Sequence, residues 1–154
     1  MNLKVLAVGS KPPDWVKLGL ATYTDRLANN LKFQLQEIPP SKHNRDPQRF
    51  VKEEGERILA KVDRRDWMVM LDERGKAYDS RGLAQRLAFW QSQGSDVVFA
   101  VGGSDGLSSA VKERSNETLS LSPLTLPHHL VKVMLVEALY RAWSINNGHP
   151  YHRA

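Results

Sequence analysis

Short apolar runs alternate along the chain with segments whose apolar residues recur every three or four positions. The apolar runs cover residues 3–8, 67–71 and 97–101, and each leads into glycine or a polar turn. Runs of this length are typical of buried strands, whereas the longer recurrence is typical of helices that pack by one face. The alternation predicts an α/β fold with a mainly parallel sheet.

The intervening segments carry helix boundaries that can be read from single residues. Asp14 is expected to cap a helix that runs to about Leu27, and Ser80 is expected to cap another that ends near Gly94. Asp46 followed by Pro47 is a typical cap and first-turn pair. No repeat, low-complexity tract or linker interrupts the pattern, so residues 1–154 are expected to form a single domain.

Composition narrows the class of protein. The 154 residues include 22 basic and 17 acidic side chains, a net charge of +5, and no cysteine. The lack of cysteine excludes disulfides, thiolate metal sites and cysteine nucleophiles, while the modest positive charge favours a polyanionic partner. The first apolar run is too short for a signal peptide or a membrane span, so a soluble, cytoplasmic protein is expected.

A glycine-rich turn, Gly102-Gly103-Ser104-Asp105-Gly106, directly follows the third apolar run. In open α/β sheets, ligands bind beyond the carboxyl ends of strands, where glycines let backbone amides approach them. The spacing matches neither a dinucleotide fingerprint nor a phosphate loop. It does match Gly-x-Ser-x-Gly, so three interpretations stay open: a hydrolase with Ser104 as nucleophile, a ligand-cradling loop, and a turn without chemistry.

A second segment, residues 121–129, is rich in leucine but is not expected to be helical, because Pro123 and Pro127 lack amide donors. Irregular backbone that is buried needs partners for its amides and carbonyls. The flat faces and polar edge of an adenine would supply them. A loop buried by packing or by a subunit contact is the alternative.

The last predicted helix, residues 130–145, is apolar almost all round, which indicates cover by a second subunit as well as by its own sheet. Within it, Glu137 and Arg141 have the spacing of a helical ion pair. The polar tail that follows is either a frayed end or an active-site flap. His149 and His152 have no accompanying ligand cluster, so no metal is expected.

These features together resemble one family along the whole chain. The resemblance rests on the glycine-rich turn, the Leu-Ser-Pro-Leu-Thr-Leu-Pro-His run from Leu121, the segment 136–143 and the terminal His-Pro-Tyr-His-Arg. The chain is similar to the ribosomal RNA large subunit methyltransferase H family, minimal members of the SPOUT superfamily. The resemblance implies a SPOUT-type α/β fold with a deep trefoil knot near the C-terminus, a homodimer, and S-adenosyl-L-methionine bound in the knot. It implies methylation of N3 of a pseudouridine in a hairpin loop (helix 69) of 23S rRNA on assembled ribosomes, without a separate RNA-binding domain.

The matching motifs also imply roles for individual residues. Cofactor contacts are expected from Leu71, Gly102, Gly103, Leu121, Ser122, Pro123, Leu124, Thr125 and Leu126. Candidate catalytic residues are Glu137, Arg141, Tyr151, His152 and Arg153. We expect His152 to act as base or proton relay, Arg141 and Arg153 to stabilise the anion or phosphates, Tyr151 to stack, and Glu137 to orient Arg141.

RNA contacts are expected from basic side chains outside these motifs, namely Lys42, Arg45, Arg49, Lys52, Arg64 and Arg65. A non-catalytic ribosome-binding protein stays open beside the methyltransferase and the Ser104 hydrolase.

Overall fold

Strands and helices alternate through the part of the chain that the structure, a computed structural model, describes: residues 1–9, 11–41 and 46–153. The elements are β1 (Asn2–Val8), α1 (Asp14–Asn30), β2 (Lys32–Ile38), α2 (Pro47–Leu59), β3 (Trp67–Ala77), α3 (Ser80–Ser92), β4 (Val97–Val101), α4 (Ser109–Arg114), β5 (Glu117–Ser120) and α5 (His128–Asn146). A 3₁₀ turn, Pro150–His152, follows α5.

The five strands form one sheet in the order β2-β1-β4-β3-β5, and all of its strand pairs are parallel. The α/β prediction is therefore confirmed. Because every strand pair is parallel, the carboxyl ends of all five strands lie at one edge of the sheet.

Helices cover both faces of the sheet, and β4 shows how the sequence achieves this. Val97, Phe99 and Val101 belong to the core beneath α1, α3 and α5, whereas Val98 and Ala100 belong to the core beneath α2 and α4. Successive side chains of a strand point to opposite faces, so a continuously apolar run is what a strand buried on both sides requires.

β3 continues through the polar turn that the sequence predicted at residues 72–75, so that prediction is corrected. Leu71 and Lys76 both pair with Leu119, because the four residues between them bulge out of the strand before pairing resumes. A Cβ on Gly75 would lie 2.8 Å from the Thr118 carbonyl oxygen, so glycine allows this close approach. The bulge stands at the carboxyl edge of the sheet.

Of the three predicted helix caps, one is confirmed and two are wrong. Asp46 caps α2, since its Oδ1 accepts hydrogen bonds from the amides of Gln48 and Arg49 at 3.1 and 3.4 Å. Asp14 and Ser80 are instead the first residues of their helices, so both of those predictions are wrong. In α3 the capping oxygen belongs to Asp79, one residue earlier, which accepts from the Gly82 amide at 2.7 Å. None of the helices among the described residues is long and apolar enough to cross a membrane.

Candidate active site

A cavity of about 310 Å³ opens at the carboxyl edge of the sheet, and three segments plus the start of α5 enclose it. The segments are the β3 bulge, the glycine-rich turn after β4 and the loop after β5. The lining residues are Leu71, Asp72, Glu73, Arg74, Val101, Gly102, Gly103, Ser104, Gly106, Leu107, Leu119, Leu121, Ser122, Leu124, Thr125, Leu126, His128 and Val131.

The glycine-rich turn folds back on itself at the floor of this cavity. The Gly106 amide donates to the Gly103 carbonyl at 3.2 Å, and Gly106 has a φ of 81°. A Cβ on Gly102 would lie 2.7 Å from the Gly106 carbonyl oxygen, which is closer than a side chain can approach. The turn therefore depends on its glycines for shape and leaves its backbone open to a ligand.

The loop after β5 forms the opposite wall and is held by its own hydroxyls. Ser120 Oγ donates to the Ser122 carbonyl at 2.9 Å, and Ser122 Oγ accepts from the Leu124 amide at 3.0 Å. Thr125 Oγ1 donates to Glu73 Oε2 at 2.7 Å, which joins this wall to the β3 bulge. Within the described part of the chain, the amides of Thr125 and Leu126 donate no hydrogen bond.

The first turn of α5 closes the cavity on its remaining side. Pro127 precedes the helix and gives it no side-chain cap. Burial lowers the pKa of His128, and the nearby His129 and Lys132 lower it further. His128 is therefore neutral near pH 7 and adds no positive charge to the cavity.

The candidate catalytic residues of α5 and the tail come together in a second place. Glu137 Oε1 accepts from Arg141 Nη2 at 2.8 Å and from the Tyr151 hydroxyl at 3.0 Å. The Arg141 guanidinium lies 5.1 Å from the centre of the Tyr151 ring. Hydrogen bonding to Glu137 raises the pKa of Arg141, so the guanidinium keeps its charge.

The tail is docked on α5 and is not a frayed end. The hydroxyl of the buried Ser144 lies 2.8 Å from His152 Nδ1, and the His149 amide donates to the Ser144 carbonyl at 3.0 Å. Arg153 ends the 3₁₀ turn with its side chain exposed.

Sequence reasoning missed the residues of α1 that support this cluster. Arg26 of α1 lies 5.8 and 5.9 Å from the ring centres of Tyr140 and Tyr151. The ring of Tyr23 meets that of Tyr151 edge-on at 6.4 Å. The i, i+3 spacing of Tyr23 and Arg26 marks one face of α1, but nothing in the sequence shows that the tail packs there.

Two of the candidate catalytic residues line a separate cavity, whereas Tyr151, His152 and Arg153 line neither. Glu137 and Arg141 line a second cavity of about 310 Å³ between α1, α3, the end of β5 and α5, and it shares Leu119 and Leu121 with the first. None of the five candidate catalytic residues lines the first cavity.

Ser104 does not have the setting of a hydrolase nucleophile. It lies exposed in the glycine-rich turn, and the next helix begins only at Ser109. A Gly-x-Ser-x-Gly nucleophile stands on a sharp turn directly between a strand and a helix, and Ser104 does not. No hydrogen bond joins Ser104 to a histidine among the residues that the structure describes.

The predicted RNA-binding residues that the structure describes lie in two places. Lys42 and Arg45 lie outside the described residues. Arg49 and Lys52 are exposed on α2, while Arg64 and Arg65 are exposed just before β3 begins, at the edge of the sheet opposite the first cavity. In residues 1–9, 11–41 and 46–153 there is no cluster of side chains suited to a metal ion.

A family model described as "Predicted SPOUT methyltransferase" matches residues 1–152. The chain belongs to the SPOUT methyltransferase family. It is 47% identical over 156 residues to ribosomal RNA large subunit methyltransferase H of Dichelobacter nodosus (strain VCS1703A), covering all of both chains. It is 46% identical over 155 residues to the protein of the same name from Hahella chejuensis (strain KCTC 2396), covering 99% of each. The resemblance inferred from the motifs is confirmed, and the class of enzyme is a methyltransferase.

Proposed function

We propose that this SPOUT protein transfers a methyl group from S-adenosyl-L-methionine to N3 of a pseudouridine in a hairpin loop (helix 69) of 23S rRNA, on assembled ribosomes. The relatives' names supply the class of RNA. The observation that carries the proposal is the first cavity, where residues assigned to the cofactor from sequence converge. They are Leu71, Gly102, Gly103, Leu121, Ser122, Leu124, Thr125 and Leu126. Pro123 is exposed and is not part of the lining.

The chemistry of this cavity suits the cofactor. When bound, S-adenosylmethionine supplies a methyl group on a positively charged sulfur. The carboxylates of Asp72 and Glu73 line the cavity together with the guanidinium of Arg74, whose Nε lies 3.6 Å from Asp72 Oδ1. With His128 neutral, two carboxylates against one guanidinium leave a net negative charge, which favours a cation. The free amides of Thr125 and Leu126 can donate to the polar edge of an adenine. The loop that presents them would form part of the trefoil knot that the family resemblance implies.

The second cluster suits activation of the substrate. The N3 imide of pseudouridine is a poor nucleophile until its proton is lost, so a base or a cation that stabilises the anion is needed. We assign the base to His152, stabilisation of the anion or phosphates to Arg141 and Arg153, and stacking to Tyr151. Glu137 orients Arg141 through their 2.8 Å ion pair.

We propose that the enzyme is a homodimer in which the tail of one copy reaches the first cavity of the other. Within one chain, the tail residues do not line that cavity. On α1, Trp15 and Leu18 are 58% and 71% exposed, and the apolar Val133 and Met134 of α5 are only half-buried. Exposed apolar patches of this kind mark interaction surfaces. RNA recognition then falls to the surface of this domain and its copy, and a ribosomal substrate places the enzyme in the cytoplasm.

The test is to incubate the pure protein with methyl-labelled S-adenosylmethionine and ribosomes that lack the modification, and then to map the labelled nucleotide. Label at N3 of one pseudouridine in a loop is the expected result. No label on ribosomes, subunits or free rRNA, despite measurable cofactor binding, would contradict the substrate assignment and favour a non-catalytic ribosome-binding protein.

Variants of the tail separate the two clusters. We expect H152A and R153A to lower the transfer rate by about 100-fold or more, because they remove the base and a stabilising cation, with cofactor affinity nearly unchanged. Calorimetric titration with the cofactor provides the second measurement. Equal loss of transfer and cofactor binding would mean that the tail is structural. S115A is the matched control, because Ser115 lies at the end of α4 and lines neither cavity. S104A tests the hydrolase alternative separately.

A further inference from the structure

Ser144 is 0% exposed, and its hydroxyl contacts two residues of the tail. Its Oγ lies 2.8 Å from the His149 carbonyl oxygen and 2.8 Å from His152 Nδ1. The hydroxyl and the backbone of one buried residue therefore both hold the tail.

The single proton of the Ser144 hydroxyl determines the direction of both hydrogen bonds. A carbonyl oxygen can only accept, so Ser144 donates its proton to His149. The Ser144 oxygen must then accept at its other contact, and His152 Nδ1 must carry the proton. With the roles reversed, two oxygen lone pairs would face each other at 2.8 Å. In a neutral imidazole with Nδ1 protonated, Nε2 holds a free lone pair.

We propose that Ser144 is a positioning residue that fixes the tautomer of His152, so that the unprotonated Nε2 is the atom that accepts the substrate's proton. This assignment rests on the proposed function for the role of His152 as base. The tautomer itself follows from the contacts of Ser144 alone and can be tested without substrate.

His149 provides an internal contrast. Its Nδ1 accepts from the Tyr151 amide at 3.2 Å, so its proton must lie on Nε2 when the ring is neutral. Its ring packs against Trp143, with 5.4 Å between ring centres. The two tail histidines therefore have opposite tautomers.

The experiment is a long-range ¹H–¹⁵N correlation spectrum of the ¹⁵N-labelled full chain, recorded where the histidines are neutral. H152Q and H149Q spectra assign the two rings. We expect His152 with Nδ1 protonated and His149 with Nε2 protonated. The Nε2-protonated form of His152 in the wild-type chain would overturn the proposal.

Removing the hydroxyl tests the positioning role. We expect S144A to shift His152 towards the Nε2-protonated tautomer and to lower the transfer rate about 10-fold to 100-fold, because a wrongly protonated imidazole cannot act as base. Cofactor affinity should not change. S144T restores the hydroxyl and should recover both the tautomer and most of the rate.

S115A is the matched control. It also removes a serine hydroxyl, one that donates at 2.7 Å to the Val111 carbonyl of α4, far from the tail. An S144A variant that keeps the Nδ1-protonated form, or that loses rate only as much as S115A, contradicts the proposal. A wild-type chain without methyl transfer but with the expected tautomer would instead contradict the proposed function alone.

Discussion

At the residue scale, the carboxylate of Glu117 accepts several hydrogen bonds at the amino-terminal edge of the sheet. Glu117 accepts from the indole nitrogens of Trp67 and Trp90 at 2.7 and 3.0 Å and from Arg86 Nη2 at 2.6 Å. Burial alone would raise the pKa of Glu117, but hydrogen bonds from Arg86, Trp90 and Trp67 hold it below its usual value. The folded chain therefore stabilises the ionised form of Glu117 relative to the unfolded chain.

We expect E117A to lower the free energy of unfolding by about 2–4 kcal/mol at pH 7, because it leaves several buried donors unpaired. The pKa of Glu117 is lower in the folded chain than in the unfolded chain, where it is about 4.3. The ionised carboxylate therefore stabilises the fold above about pH 4.3, and this stabilisation is lost as the pH falls through the folded pKa. Urea denaturation of the wild type and E117A at pH 7 and at a pH below the folded pKa measures the difference in stability between the two chains. This difference should be smaller at the acidic pH. The exposed Glu113 supplies the control, E113A. A loss independent of pH would show that the charge does not matter.

Lys132 is the opposite case, a buried charge that is poorly compensated. Its side chain is 0% exposed, and Nζ makes no hydrogen bond in the described structure. The nearest carboxylate oxygen, on Glu37, is 3.9 Å away, and that side chain is 30% exposed. Burial lowers the pKa of Lys132, and Glu37 offsets this only in part.

We expect K132M to raise the free energy of unfolding by about 1–2 kcal/mol at pH 7, since it removes a desolvated ammonium and keeps an apolar chain of similar length. The lowered pKa adds a second signature. Wild-type stability should rise as the pH climbs through the folded pKa of Lys132, and K132M should not show this rise. Urea denaturation across that range checks both points, and a K132M chain less stable than wild type at pH 7 would contradict them.

At the scale of elements, the glycine-rich turn connects sequence to function most directly. We expect G102A to weaken cofactor binding about tenfold or more, because the added Cβ would displace the Gly106 carbonyl from its 2.7 Å approach. Calorimetric titration measures the affinity. G94A is the control: Gly94 has a φ of 75°, so an added Cβ strains the backbone there, but Gly94 does not line the cavity. Equal weakening in both variants would mean a general loss of stability.

The elements themselves were largely predictable, and the tertiary contacts were not. The uninterrupted apolar run of residues 97–101 predicts a strand that is buried on both faces. The bulge at residues 72–75 looked like a terminating turn, since a sequence does not show that pairing resumes with Leu119. Ser144 and Arg26 gave no signal at all, because their partners lie in the tail and become neighbours only after folding.

At the scale of the whole molecule, the two cavities share Leu119 and Leu121, and none of the catalytic candidates lines the first cavity. We expect L18E to dissociate the proposed dimer and to lower transfer about tenfold or more. Leu18 is 71% exposed, so the same change in an isolated chain would alter stability by only about 0.5 kcal/mol. Sedimentation velocity measures the mass, with K112E on α4 as control. A dimeric, fully active L18E would place the contact elsewhere.

Mixing G102A with H152A tests whether copies share their sites, at a cofactor concentration too low for the weakened G102A cavity to fill. If the tail acts on the partner's cavity, G102A supplies a working tail to the intact cavity of H152A. Random pairing in a two-fold dimer then restores about a quarter of wild-type transfer. A mixture that stays inactive would mean that each chain uses its own tail.

The order of the strands has a consequence for how the chain is made. β1 is synthesised first but lies between β2 and β4, and the Asn2 amide donates to Asp96 Oδ1 across 94 positions of sequence. At about 5–20 residues per second, β1 waits about 5–20 s for this neighbour to be translated. Throughout that interval one edge of the apolar strand β1 has no hydrogen-bonding partner. The nascent chain is therefore most prone to aggregation before β4 emerges.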